Sequence, residues 1–116
     1  MESILDSIKK MLGITKEYKQ FDAEIVMNIN SVFSVLHQLG VGPKECYWIE
    51  DSAQTWDEFM EGKANIELVK SYVFLKVKLI FDPSLTASVT ESYKEQIKEF
   101  EWRLNVIAEE NREEDD

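Results

Sequence analysis

The sequence predicts an all-α protein, a small helical bundle of four main helices with one short helix inside a long aromatic loop. Three observations point there. Apolar residues recur at three- and four-residue spacing over four segments, serine or aspartate stands where three of them would begin, and only Tyr47-Trp48-Ile49 reads as strand-like. Four glycines and two prolines in 116 residues leave no room for low-complexity linkers. A chain of this length supports one core. We therefore expect a single helical domain over residues 1–110 followed by an acidic tail, 111–116.

The first helix is expected over residues 3–12, where Ile4, Leu5, Ile8, Met11 and Leu12 share a face, Ser3 and Asp6 form a capping pattern, and Gly13 stops it. A second helix should start at Asp22, with its carboxylate as cap, and run to Leu39 before Gly40. Ile25, Ile29, Val32, Leu36 and Leu39 form its inward stripe, with Phe33 at the edge and Asn30, Ser31 and Ser34 opposite. Residues 40–62 are irregular. Within them Thr55-Trp56-Asp57-Glu58 is a capping box that opens a short helix through Met60, with Gly62 as its stop.

Residues 65–81 are apolar nearly all round. Ile66, Val69, Val73, Val77 and Ile80 make one stripe, Leu68, Tyr72, Leu75 and Leu79 a second, and Glu67, Ser71 and Lys78 the polar strip. Such a helix is central or faces a neighbouring subunit. Lys70 and Lys76 can pack their stems there while their amines reach outward. Asp82-Pro83-Ser84 ends this helix, because the residue before proline is pushed out of the helical region. The last helix is expected from Ser88, in the box Ser88-Val89-Thr90-Glu91, to about Glu110, with a seam of Val89, Tyr93, Ile97, Phe100, Leu104 and Ile107. Trp102 falls off that seam and pairs with Val106 four residues on.

Charge excludes some functions. The formal charge is −10, and residues 109–116 hold six acids and one base, half of that excess. Such a surface repels phosphate, so direct gripping of nucleic acid is not expected. No stretch approaches a membrane span, Met1-Glu2-Ser3 lacks the start of a signal peptide, and the lone Cys46 allows no disulfide within the chain. Synthesis and use in the cytosol are the expectation.

Catalytic signatures are missing. His37 is the single histidine, without a partner at ligand spacing on its helix, and no phosphate loop, nucleophile elbow or zinc pattern is present. Glu50, Asp51, Asp57, Glu58 and Glu61 cluster, but their spacing does not make a calcium loop, and Asp57 and Glu58 suit the first turn of a helix. No enzyme, metal or cofactor is expected. What a lone bundle leaves unexplained is aromatic surplus: Tyr47, Trp48 and Trp56 in the loop, and Trp102 with Val106 on the last helix. Interfaces enrich tryptophan and tyrosine, so these five are the candidate oligomer or partner surface. The competing placement for the loop residues is a cap on the end of their own bundle.

The order of elements resembles a known family. Ile4-Leu5-Asp6-Ser7-Ile8-Lys9-Lys10-Met11-Leu12-Gly13-Ile14, the long second helix ending in Gly40-Val41-Gly42-Pro43, Trp56-Asp57-Glu58-Phe59, Lys78-Leu79-Ile80-Phe81-Asp82-Pro83 and Glu99-Phe100-Glu101-Trp102-Arg103-Leu104 together resemble the head-tail connector (adaptor) proteins of tailed bacteriophages and prophages, over residues 3–107. The resemblance implies a structural subunit of a closed, twelvefold ring in the virion neck, made in the host cytoplasm. It implies docking on the portal protein, a platform for the next neck or tail-completion protein, and a lumen through which DNA passes as cargo. It also implies that the C-terminal region, with Glu109, Glu110, Arg112 and Glu113, faces the portal. The alternative is a small acidic protein-binding module, an inhibitor or regulatory adaptor, that forms no ring.

Overall fold

A computed structural model describes residues 2–61, 65–82 and 84–115, with side chains as far as Glu110. It is all-α, with helices α1 (Ile4–Met11), α2 (Asp22–Leu39), α3 (Trp56–Met60), α4 (Ile66–Phe81) and α5 (Ala87–Asp115). Among the described residues the only β-type pairing is one isolated bridge, Ser3 to Thr55. It ties the start of α1 to the start of α3, with the Ile4 N–H donating to the Gln54 carbonyl at 3.0 Å.

The α1 cap is as expected, the Ser3 hydroxyl accepting from the Asp6 N–H at 3.2 Å. Ile4, Leu5 and Ile8 are buried, while Met11 turns toward solvent. The start of α2 departs from expectation. Phe21 occupies the cap position without a side-chain bond, and Asp22 is already helical, because its carboxylate is drawn to the Lys9 amine at 2.8 Å. Of the inward stripe, Ile25, Ile29, Val32 and Leu36 are fully buried and Leu39 is partly buried, and Phe33, placed at the edge from sequence, is buried because the long loop folds over it. Asn30, expected opposite, turns into that junction: its amide accepts from the Ile49 N–H at 2.7 Å and donates to the Ile49 carbonyl at 2.9 Å. Gly40, at φ 87°, closes α2 with the Val41 N–H reaching back to Leu36.

Both halves of the Thr55–Glu58 capping box form, and α3 stops at Glu61 in the left-handed region; the expected stop, Gly62, lies outside the described residues. α4 is the central helix, packed against α2 on one side and α5 on the other. Val69, Tyr72, Val73 and Val77 have no exposed surface, although Ile80, assigned to the same inward stripe, is mostly exposed. Its lysines behave as expected of snorkelling side chains: Lys70 pairs with Glu2, and Lys76 approaches Glu101. Asp82 leaves the helix in an extended conformation, as a residue before proline must, and its carboxylate accepts from the Ser84 N–H at 2.9 Å. Pro83 itself lies outside the described residues.

α5 begins at Ala87, not Ser88, because the Thr86 hydroxyl accepts from the Val89 N–H at 3.2 Å and takes the capping role. It also runs past Glu110 to Asp115. Ile97 and Leu104 are the buried centre of its seam, Tyr93, Phe100 and Ile107 are half-buried, and Val89 is exposed at the end.

Candidate functional site

The loop aromatics fold inward around Phe33. The Phe59 ring stacks on it at 4.6 Å between centroids, and Tyr47 and Trp56 meet it edge-on at 5.7 and 6.3 Å. Trp56 is 1% exposed, its indole N–H donates to the Ser7 hydroxyl at 2.7 Å, and that hydroxyl donates on to the Ile4 carbonyl. A tryptophan with both its ring and its polar edge satisfied inside the chain has no surface left for a partner. Of the two placements open for Trp56, the geometry takes the cap on its own bundle. Tyr47 is half-buried in the same cluster, and burial followed by the Glu58 carboxylate holds its phenol above the usual value. Gly42, at φ 97°, lets the loop pass this close: a Cβ there would stand 2.6 Å from the Phe59 ring. Trp48 alone among the loop aromatics faces outward, at 59% exposure.

The second candidate surface is on α5. Glu101 accepts from the Tyr72 hydroxyl at 2.7 Å, and Lys76 stands 3.8 Å from the same carboxylate and 5.5 Å above the Tyr72 ring. Burial, then the hydrogen bond and charge of Glu101, drive the Tyr72 phenol far up, so it stays the proton donor. This contact fixes the rotation of α5 on α4. The next residue, about 100° further round, is Trp102, which is 68% exposed. Val106, one turn on, is half-buried beside it, and the Arg103–Glu99 pair at 2.8 Å lies on the flank.

The Tyr72–Glu101 contact also locates the acidic end. The helices run antiparallel, so Ile66, the first residue of α4, is level with about Ile107, and the turns that follow pass beyond α4. Glu109 and Glu110 are exposed there, while the side chains of Arg112 and Glu113 lie outside the described residues.

Sequence reasoning missed three features. Met27, on the outer side of α2, is 68% exposed. Lys9 is fully buried, its amine donating to the carbonyls of Lys16 at 3.1 Å and Tyr18 at 2.7 Å and forming the ion pair with Asp22. The third is an open depression of about 360 Å³ lined by Leu12, Phe21, Glu24, Lys78, Phe81 and Asp82. The only signal for Lys9 was its position four residues after Leu5, at the edge of the apolar face of α1.

Three of the candidates for chemistry have structural contacts. His37 Nε2 lies 3.0 Å from the Lys44 carbonyl, Asp51 accepts from the Ala53 N–H, and Glu58 belongs to its capping box. Among the described residues no three histidine, cysteine or acidic side chains converge as a metal site would require, and no helix is long and apolar enough to cross a membrane.

Comparison with known proteins adds one finding. The family model described as phage connector protein matches residues 4–111. No curated protein and no solved structure matches the chain.

Proposed function

The chain belongs to the phage connector protein family, matched from residue 4 to residue 111, and from that premise we propose that it is the subunit of a head-tail connector ring in the virion neck. Membership gives it a structural, connector-type role. The finer reading is that copies close into a ring, expected to be twelvefold, on the portal protein. The ring then offers the next neck or tail-completion protein a platform, and the genome passes through its lumen.

The observation that carries this reading is the family match together with an exposed Trp102 held outward by the Tyr72–Glu101 contact. An exposed indole on a rigid helix is the kind of side chain that anchors a protein interface. The charge of −10 suits a channel in which DNA must slide and not adhere. The helical turns beyond α4, starting at Glu109, are the segment we assign to the portal contact.

The test is the solution mass of the purified protein by light scattering, alone and with its portal protein. A ring-sized species in either sample is expected. A chain that stays monomeric in both overturns the ring, leaving only the structural role that the family gives.

A further inference from the structure

Ring contacts are heterologous, so each subunit must offer two different patches that fit each other. Trp102 offers one candidate; of the loop aromatics Trp56 and most of Tyr47 are inside, and only Trp48, 59% exposed, faces outward. The connection between α1 and α2 has the character of a complement to the Trp102 face.

In a chain of net charge −10, this connection is basic: Lys16 and Lys19 are exposed, with Glu17 as the acid between them, and Lys10 at the end of α1 adds a third exposed amine. Met11 and Tyr18, both exposed over about two fifths of their surface, add apolar area. The connection is irregular yet built, because the buried Lys9 amine holds the Lys16 and Tyr18 carbonyls against the end of α1. The depression lies beside it: Phe21, 5.6 Å from Tyr18 and 5.4 Å from Phe81 between ring centroids, forms its apolar wall together with Phe81 and Leu12. At the rim Lys78 and Asp82 pair at 3.0 Å, and Glu24 is the other acid there. At about 360 Å³ and open to solvent, the depression has room for an indole ring.

The α5 face has the complementary character. Glu91, Glu95 and Glu109 stand seven or eleven residues from Trp102, which at 100° per residue puts all three within about 20° of its line. All are exposed. Lys98 is the base nearest that line, Glu99 is taken by Arg103, and Glu91 has the exposed Lys94 amine at 3.9 Å. One face is acidic around an exposed indole, and the other is basic beside an apolar depression.

Resting on the ring reading above, we propose that the Lys9-clasped connection between α1 and α2 receives the Trp102 face of the next copy. The indole enters the depression, and the lysines meet Glu91 and Glu95 beside it. Such rim charges set the choice of partner and the salt dependence more than raw affinity.

Charge exchange tests the pairing under whichever condition, with or without portal, gives a ring. Lys16→Glu with Lys19→Glu reverses one face, and Glu91→Lys with Glu95→Lys reverses the other; all four side chains are exposed, so circular dichroism should show both variants folded. Each variant alone should assemble at least about tenfold more weakly than the wild type, since each now sets like charges face to face. An equimolar mixture should recover assembly, seen by sedimentation velocity, because every contact between unlike variants is again complementary. Assembly of the wild type without recovery by the mixture overturns the pairing and leaves the ring standing. If the lysine variant assembles normally but loses binding to a short DNA duplex that the wild type binds, the surface serves DNA and the proposal fails. Absence of a ring under every condition overturns the ring reading and this one with it.

Discussion

Trp56 and Trp102 are the same side chain in two regions that treat it in opposite ways. Trp56 sits in the first turn of a five-residue helix, under a loop stitched down by Asn30, Gln54 and the Ser3–Thr55 bridge. Trp102 sits in the middle of a 29-residue helix whose neighbour, Glu101, is locked to the bundle. Irregular backbone can bend until its aromatic groups are buried, whereas a long helix fixed at one face must present whatever lies on the other. The loop therefore consumes its aromatics in the fold, and α5 displays its own.

This contrast is sharpest in stability. Trp56→Ala should cost about 3–5 kcal/mol, the range for emptying a large aromatic site in a core, and it leaves the Ser7 hydroxyl without its indole donor. Urea unfolding checks it: the midpoint should fall with an unchanged slope. A loss below about 1 kcal/mol would mean that Trp56 is not in the core, and would restore it to the interface candidates.

Gly42→Ala probes the same region through the backbone. It adds a methyl 2.6 Å from the Phe59 ring at a φ of 97°, so we expect a loss of about 2 kcal/mol from overpacking and strain together. Phe59→Leu in the same chain should relieve part of it, and a thermal melt of the single and double variants measures the coupling.

A smaller effect belongs to the turn between α4 and α5, which aims the outward-facing helix. The Asp82 carboxyl titrates at about 2 and not 3.8, held down by the Ser84 hydroxyl, then the Ser84 N–H, then Lys78. A depressed carboxyl contributes stability that is complete above the unfolded value and lost as pH falls through the folded one. Asp82→Ala should therefore flatten the decline in stability between about pH 4 and pH 2 while lowering stability slightly at neutral pH. Acid titration followed by circular dichroism distinguishes this from a variant whose acid limb is unchanged.

The same contrast explains what was legible. Periodicity located the helices because a helix buries one fixed face, and the buried stripe of α2 and the Thr55 box follow directly from spacing. The tight contacts of the irregular segments were not legible. Lys9 reads as a surface charge, since its acceptors are carbonyls seven and nine residues away that converge only after the connection folds. Asn30 reads as polar face because Ile49, nineteen residues on, leaves no local trace. The start of α5 lies near the expected Ser88, but the cap is Thr86, because two hydroxyl residues, Thr86 and Ser88, both make acceptable caps. Trp102 could be assigned to an outer face, since both its seam and its offset lie within one helix.

Trp102→Ala should have the smallest effect on the isolated chain and the largest on assembly. A side chain 68% exposed contributes little to folding, so the change in unfolding free energy should stay within about 0.5 kcal/mol, with the helical signal unaltered. Any ring-sized species should nevertheless be lost, because truncating a central tryptophan anchor costs about 2 kcal/mol or more per contact and a closed ring repeats that cost at every interface. Trp56→Ala gives the opposite pattern, lower stability at each contact's full strength for whatever fraction remains folded. Measuring both variants by urea unfolding and by light scattering separates the two roles. If Trp102→Ala destabilised the monomer as much as Trp56→Ala does, the long helix would be burying both of its faces within one chain, and the outward surface on which assembly is argued would not exist.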